Sequence, residues 1–117
     1  HDQVLACLDA RMNEVYAALY QREGGAWRCL SGPVVCPPGA VLMPKADGFV
    51  GVGSGFIAYP DLAQNRLASC NPDCIPHARA MARLAAPRLL RGEGVAAEQA
   101  EPLYIRDKVA LKICERA

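Results

Sequence analysis

The chain has 117 residues, of which 52% are hydrophobic and 21% charged, and its net charge is +1 at pH 7. This length suits one domain with a substantial core, and no apolar run approaches the roughly 20 residues that span a bilayer. The near-neutral charge gives no general electrostatic reason to bind nucleic acid. We therefore expect a single α/β domain over residues 1–117, without a membrane span or a broadly basic surface.

A β-hairpin is the first predicted element. Residues 4–8 are an apolar run, residues 9–13 interrupt it, and residues 14–20 resume a pattern compatible with a strand. Because the second strand carries apolar side chains on both of its faces, we expect both faces of the sheet to be covered. Three charged residues crowd the predicted tip, namely Asp9, Arg11 and Glu14.

A turn and a third antiparallel strand follow the hairpin. Residues 23–26 contain two glycines typical of a turn, and residues 26–30 form a strand that Gly32-Pro33 is predicted to end. Residues 40–43 lie between prolines and suffice for one or two helical turns. This segment is the predicted crossover to the next strand.

A strand at residues 49–53, a glycine-rich turn and a helical segment at residues 56–63 come next, with an interruption at Pro60. Residues 64–73 are predicted to be irregular. A strand that ends in glycines before a helix is the general geometry of a phosphate-binding loop. Residues 51–55 lack the lysine of a P-loop, however, and glycines also permit close packing at such a turn.

The strongest helix pattern covers residues 76–91. Gly92 is predicted to end this helix, and Pro87 to kink it or split it in two. One face groups the apolar residues Met81, Leu84, Ala85 and Leu89. Another face carries arginines that could contact RNA phosphates or form an ordinary solvated surface, namely Arg79, Arg83 and Arg91, with Arg88 nearby.

Two C-terminal segments complete the predicted order. Residues 101–106 have the pattern of an extended segment near a sheet edge, where proline is tolerated. Residues 107–115 have the spacing of a final helix. The whole order indicates a mixed sheet of three antiparallel strands plus a parallel strand, with flanking helices.

The six cysteines fall short of the density of a disulfide-stapled domain. Cys7 and Cys114 lie in apolar runs and are predicted to be buried thiols, which favours the cytosol. Cys70, Cys74 and His77 could be metal ligands, or a nucleophile with its base. A structural zinc site needs a fourth ligand and a nucleophile needs an orienting group, so no metal ligand or catalytic residue is assigned.

The carboxylates at the predicted tip allow two interpretations. Asp9 and Glu14 could work as an acid–base pair or hold a cation. The same residues beside Arg11 also suit an ordinary hydrogen-bonded turn, which we favour. No catalytic role is therefore assigned to them.

Three blocks of sequence occur in a recognisable order: DARMNEVYAALY from Asp9, FVGVGSGFIAYPDL from Phe49 and AEPLYIRDKVA from Ala100. Together they resemble the TsaB (YeaZ) family of bacterial tRNA threonylcarbamoyladenosine biosynthesis proteins, an older name for which is glycoprotease-like. Where relatives often have glycine after Arg-Met, this chain has Asn13, which also tolerates a left-handed turn. Since family members are considerably longer, the resemblance implies the C-terminal lobe of an actin-like, hsp70-like (ASKHA, RNase H-like) fold without its N-terminal lobe.

The resemblance also implies a function. It implies a non-catalytic partner of a TsaD-like transferase that acts with a TsaE-like ATPase in threonylcarbamoylation of the tRNA adenosine next to the anticodon. It implies no cofactor in this lobe, since the partner complex uses ATP, with indirect tRNA contact, no membrane association and a homodimer as one option. The loop of Gly53, Ser54 and Gly55 becomes a vestigial nucleotide loop, and the family-signature or interlobe candidates are Asp9, Arg11, Glu14, Tyr104 and Arg106.

Two other functions remain open at this point. The older family name suggests a metallopeptidase, although the chain has only two histidines, His1 and His77, and no paired-histidine motif. A small RNA-binding module is the other alternative, which the near-neutral charge disfavours.

Overall fold

The computed structural model describes residues 1–64 and 66–106. The chain divides into two compact units, one from His1 to Ile75 and one that begins at Pro76. The predicted helix at residues 107–115 and the predicted buried thiol of Cys114 lie outside the described residues. The single domain over residues 1–117 stays a prediction.

A five-stranded mixed sheet forms the first unit, in the order β3-β2-β1-β4-β5. Strands β1, β2 and β3 are antiparallel, whereas β4 runs parallel to β1 and β5 parallel to β4. The predicted α/β class and mixed sheet are confirmed, and the fifth strand is an addition. The strands are β1 (Gln3–Asp9), β2 (Val15–Glu23), β3 (Ala26–Cys36), β4 (Val50–Val52) and β5 (Ser69–Asn71).

The edge strand β3 continues beyond its predicted end, so the break expected at Gly32-Pro33 is wrong. Its pairing with β2 shifts register on either side of Leu19, which accommodates extra residues in β3. Gly32 has a φ of +87°, and a Cβ there would lie 2.6 Å from the carbonyl oxygen of Ala17. Glycine therefore allows the strand to bulge and continue, and proline is tolerated because β3 is an edge strand.

The crossover contains less helix than predicted. Pro38–Ala40 forms a single 3₁₀ turn, and residues 41–43 are not helical. The prolines at 37, 38 and 44 leave too few amide groups for a second turn. The crossover is therefore mostly irregular.

A short helix follows β4, as predicted. Helix α1 (Gly55–Ala58) stops before Pro60, where a separate 3₁₀ turn, Pro60–Gln64, begins. Strand β5 lies within the segment predicted to be irregular. The sequence Ser-Cys-Asn has no apolar alternation, so only its pairing with β4 reveals it as a strand.

The core lies on one face of the sheet. The most buried side chains, with at most 1% exposure, belong to Leu5, Cys7 and Val15. Four buried residues cover this face: Val41, Phe49, Phe56 and Leu62. On the opposite face Tyr16 and Tyr20 are only half-buried, so the prediction of two fully covered faces is right for one face alone.

The second unit contains helix α2 (Ala78–Leu90), in which every residue is exposed. Pro87 lies within α2 and does not split it. Gly92, with a φ of +80°, donates its amide to the Leu89 carbonyl and ends the helix as predicted. Residues 101–106 form no strand. Among the described residues, no helix has the length and apolar character needed to cross a membrane.

Candidate functional site: the tip–loop junction

The tip of the first hairpin has an unusual backbone. Arg11, Met12 and Asn13 have φ values of +62°, +55° and +59°, so three successive non-glycine residues are left-handed. Each such residue costs roughly 1–2 kcal/mol, with Asn the most tolerant of the three. The loop is closed by two backbone bonds, from the Ala10 amide to the Glu14 carbonyl and from the Glu14 amide to the Arg11 carbonyl, each 3.0 Å.

Asp9 anchors one side of this tip. Its Oδ1 accepts a hydrogen bond of 3.0 Å from the Arg11 amide, and its Oδ2 lies 3.7 Å from Arg11 Nη1. The Arg11 side chain is 88% exposed, so its ion pair with Asp9 contributes little to stability. The ordinary hydrogen-bonded turn therefore accounts for Asp9.

The glycine-rich loop lies directly against the end of β1. Ser54 Oγ accepts a hydrogen bond of 3.0 Å from the Asp9 amide, 45 residues away in the chain. A Cβ on Gly53 would overlap the Cys7 carbonyl oxygen, and one on Gly55 would lie 2.6 Å from Cys7 Sγ. We call residues 9–14 and 53–55 together the tip–loop junction.

Two polar groups of the tip–loop junction already have partners within the chain. The Gly53 amide donates to the Asn71 carbonyl at 3.2 Å, and Ser54 Oγ accepts a hydrogen bond from the Asp9 amide. The Asp9 carboxylate also lies in the tip–loop junction, and its negative charge would repel an anion bound there. Gly53 and Gly55 permit close packing on β1, the alternative considered for them from the sequence, and the vestigial nucleotide loop stays a prediction.

Replacing Met12 with glycine is expected to raise the free energy of unfolding by about 0.5–1 kcal/mol, because glycine relieves the left-handed strain at the tip. Asn13→Gly should give a smaller gain, since Asn tolerates this conformation. Urea denaturation of both variants provides the measurement. A loss of stability in Met12→Gly would mean that the Met12 side chain makes a contact that outweighs the strain.

Three thiols belong to the core side of the sheet. Cys7 is fully buried, and Cys36 and Cys70 pack against the same core. Burial, together with smaller contributions from Cys36 and Cys70, raises the pKa of the Cys7 thiol to about 11. Burial also raises the pKa of Cys36 and Cys70. Such thiols are poor nucleophiles near neutral pH, and the prediction that Cys7 is buried is confirmed.

Alkaline pH should destabilise the fold through Cys7. Its thiol has an ordinary pKa of 9.0 when unfolded and about 11 when folded, so between these values the unfolded state binds fewer protons. The free energy of unfolding should therefore fall by up to about 3 kcal/mol as pH rises through this window. Urea denaturation at several pH values tests this, with Cys7→Ala as control. An equally steep fall in Cys7→Ala would contradict it.

The residues considered as metal ligands form no metal site in the described part of the chain. No group of three His, Cys, Asp or Glu side chains could hold a metal ion within residues 1–64 and 66–106. The cysteines described there, including Cys70 and Cys74, are free thiols. Tyr104 is 78% exposed and Arg106 is half-buried, both in the second unit. Their assignment as signature or interlobe residues stays a prediction.

The contact between the tip and the loop was missed from the sequence. It requires β4 to lie parallel beside β1, with Leu5 opposite Gly51. A short strand ending in Gly-Ser-Gly signals a tight turn, but it does not signal which strand the turn touches. Only the sheet order shows that Ser54 reaches Asp9.

Comparisons with known proteins agree with this architecture. No family model matches the chain. The chain is 40% identical to the Escherichia coli tRNA threonylcarbamoyladenosine biosynthesis protein TsaB over 94% of its own length and 50% of that protein. It is 32% identical to the Haemophilus influenzae TsaB over 95% of its own length and 50% of that protein. The chain thus spans about half the length of the curated relatives it matches.

A solved structure matches the fold equally well. A Pseudomonas aeruginosa protein, described as uncharacterized with similarity to peptidase YeaZ, superimposes with a TM-score of 0.81 at 38% identity. The match covers 90% of this chain and 50% of that chain. The mixed sheet and its helices therefore define a lobe of the actin-like class.

Within the actin-like class, both the sequence comparisons and the structural comparison match this chain to TsaB (YeaZ) proteins. The resemblance to the TsaB (YeaZ) family is confirmed, over the half of those proteins that this chain spans.

Proposed function

We propose that the chain is the C-terminal lobe of a TsaB-like protein, which supports a TsaD-like transferase in threonylcarbamoylation of the tRNA adenosine next to the anticodon. The observation that carries this proposal is the 40% identity to a TsaB protein over 94% of the chain. A TsaE-like ATPase is the further partner, and ATP is used by these partners. The cytoplasm, where tRNA is modified, is the expected location, and free thiols are compatible with it.

The lobe itself is proposed to be non-catalytic. In support, the polar groups of the tip–loop junction are engaged in contacts within the chain. Asp9 Oδ1 accepts a hydrogen bond from the Arg11 amide, and Ser54 Oγ accepts one from the Asp9 amide.

The tip–loop junction is proposed to present the hairpin tip in a fixed orientation to the other lobe. The hydrogen bond from Asp9 to Ser54 Oγ supports this role, because it fixes the base of the tip to the β4–α1 turn. Arg11 and Met12 are exposed at the tip. Arg11→Ala should then lower tRNA modification with little change in stability, whereas unchanged modification would contradict this role.

Reconstituted threonylcarbamoyl transfer tests the main proposal. The assay combines a TsaD-like transferase, a TsaE-like ATPase, ATP, threonylcarbamoyl donor and tRNA, with and without the full-length protein that contains this chain. We expect product only when that protein is present. Equal product without it would overturn the proposal.

A peptidase is the second candidate, because the matching Pseudomonas aeruginosa structure is described by similarity to a peptidase. A casein digest with and without chelator separates the two functions. We expect no cleavage above background. Chelator-sensitive cleavage by the purified protein would favour the peptidase instead.

A further inference from the structure

Positive charge is concentrated in the segment that forms α2. Between Asp73 and Glu93 the chain has four arginines and no acidic residue, although its overall net charge is only +1. The remainder of the chain is therefore net negative. Such an asymmetry directs a polyanion toward this one segment.

Two of the four arginines already have an acidic partner. Arg88 Nε lies 3.3 Å from Glu93 Oε1, and Arg91 Nη2 lies 2.7 Å from Glu93 Oε2. One carboxylate thus holds both arginines at the C-terminal end of α2. These two side chains are less available to an outside ligand.

The other two arginines, Arg79 and Arg83, have no ion pair or hydrogen bond among the described residues. Both are exposed, and the first turn of α2 contains no acidic residue. A spacing of four residues places them on one side of the helix, about 6 Å apart along its axis. We call Arg79 and Arg83 the α2 arginine pair.

The chemistry of α2 favours RNA phosphates over a lipid surface. Guanidinium groups bind phosphate oxygens through two parallel hydrogen bonds. A membrane-surface helix has a large, continuous apolar face, commonly with Trp, Phe or Leu. Helix α2 has no aromatic residue, and Arg88 interrupts the face that carries Leu84 because it lies four positions further along.

We propose that the α2 arginine pair binds the phosphate backbone of tRNA directly. The identity of the RNA rests on the proposed function, whereas the phosphate chemistry rests on α2 itself. Because α2 has no aromatic residue, it offers no side chain on which a base could stack. The contact adds a local, salt-sensitive affinity for tRNA. The net charge of the whole chain does not indicate this affinity, because the remainder of the chain is net negative.

Salt dependence of tRNA binding tests this proposal. Fluorescence anisotropy with labelled tRNA, between about 50 and 200 mM KCl, gives the slope of log affinity against log salt. For Arg79→Gln/Arg83→Gln we expect weaker binding and a slope shallower by about 1.4–1.8, because each of the two lost phosphate contacts removes about 0.7–0.9. Arg79→Lys/Arg83→Lys should keep the slope. Arg28→Gln is the matched control, since Arg28 is paired with Glu23, and its slope should not change.

Each remaining outcome decides the question. An unchanged slope in Arg79→Gln/Arg83→Gln would overturn the proposal, as would binding to phosphatidylserine vesicles without binding to tRNA. Failure of the arginine proposal can be told apart from failure of the proposed function. A protein that supports modification normally with both arginines replaced, and with unaltered tRNA binding, keeps its function and contradicts the arginine contact. A protein that binds tRNA through the α2 arginine pair but supports no modification confirms the arginine contact and contradicts the proposed function.

Discussion

Gly53→Ala is expected to lower the free energy of unfolding by roughly 2–5 kcal/mol, which combines left-handed strain with overpacking. Gly53 has a φ of +116°, and its Cβ position overlaps the Cys7 carbonyl oxygen. Neither the strand β1 nor the turn can move without disturbing the fully buried Cys7. Urea denaturation followed by circular dichroism measures the loss.

Gly24→Ala provides the matched control for Gly53→Ala. Gly24 is also left-handed, with a φ of +57°, but nothing lies within 4 Å of its Cβ position. Its replacement should cost only the conformational strain, about 1 kcal/mol. Equal losses in the two variants would mean that close packing at Gly53 contributes nothing.

Phe56→Ala is expected to cost about 3–5 kcal/mol, because it removes a large buried ring from the core. Phe56 is 4% exposed, and its ring fills the space beside Gly51, whose Cβ position is 2.7 Å from the ring. The next residue of α1, Ile57, is 59% exposed, so Ile57→Ala should change stability by only about 0.5 kcal/mol.

Thermal or urea denaturation of the Phe56 and Ile57 variants distinguishes packing from helix propensity. If Phe56→Ala proves too unstable to purify, Phe56→Leu should fold with a smaller loss, about 1.5 kcal/mol. Similar losses in Phe56→Ala and Ile57→Ala would show that α1 does not anchor the core.

The hairpins could be predicted because their signals are local. An apolar run, a polar break and a second run specify β1 and β2, and Gly24-Gly25 specifies the next turn. Strand β5 could not be predicted, since only its partner β4 makes it a strand. The continuation of β3 through Pro33 likewise depends on β3 being an edge strand, which is a property of the sheet.

The same distinction holds for the tip–loop junction. Charged residues at the tip and glycines after β4 were identified from the sequence as separate features. Their hydrogen bond from Asp9 to Ser54 Oγ joins positions 45 residues apart. No periodicity or turn signal reports a contact over that distance, so it became visible only with the sheet order. The left-handed backbone of Arg11 and Met12 was equally hidden, because neither residue type favours it.

The bulged edge strand β3 has a consequence for how the chain behaves at high concentration. An open strand edge is a template on which further copies can polymerise into cross-β aggregates. In β3 the register shifts and Pro33 interrupt the outer row of amide and carbonyl groups after the first few residues. These irregularities make β3 a poor template for further copies, even though Trp27, Leu30 and Val34 are exposed apolar residues of this strand.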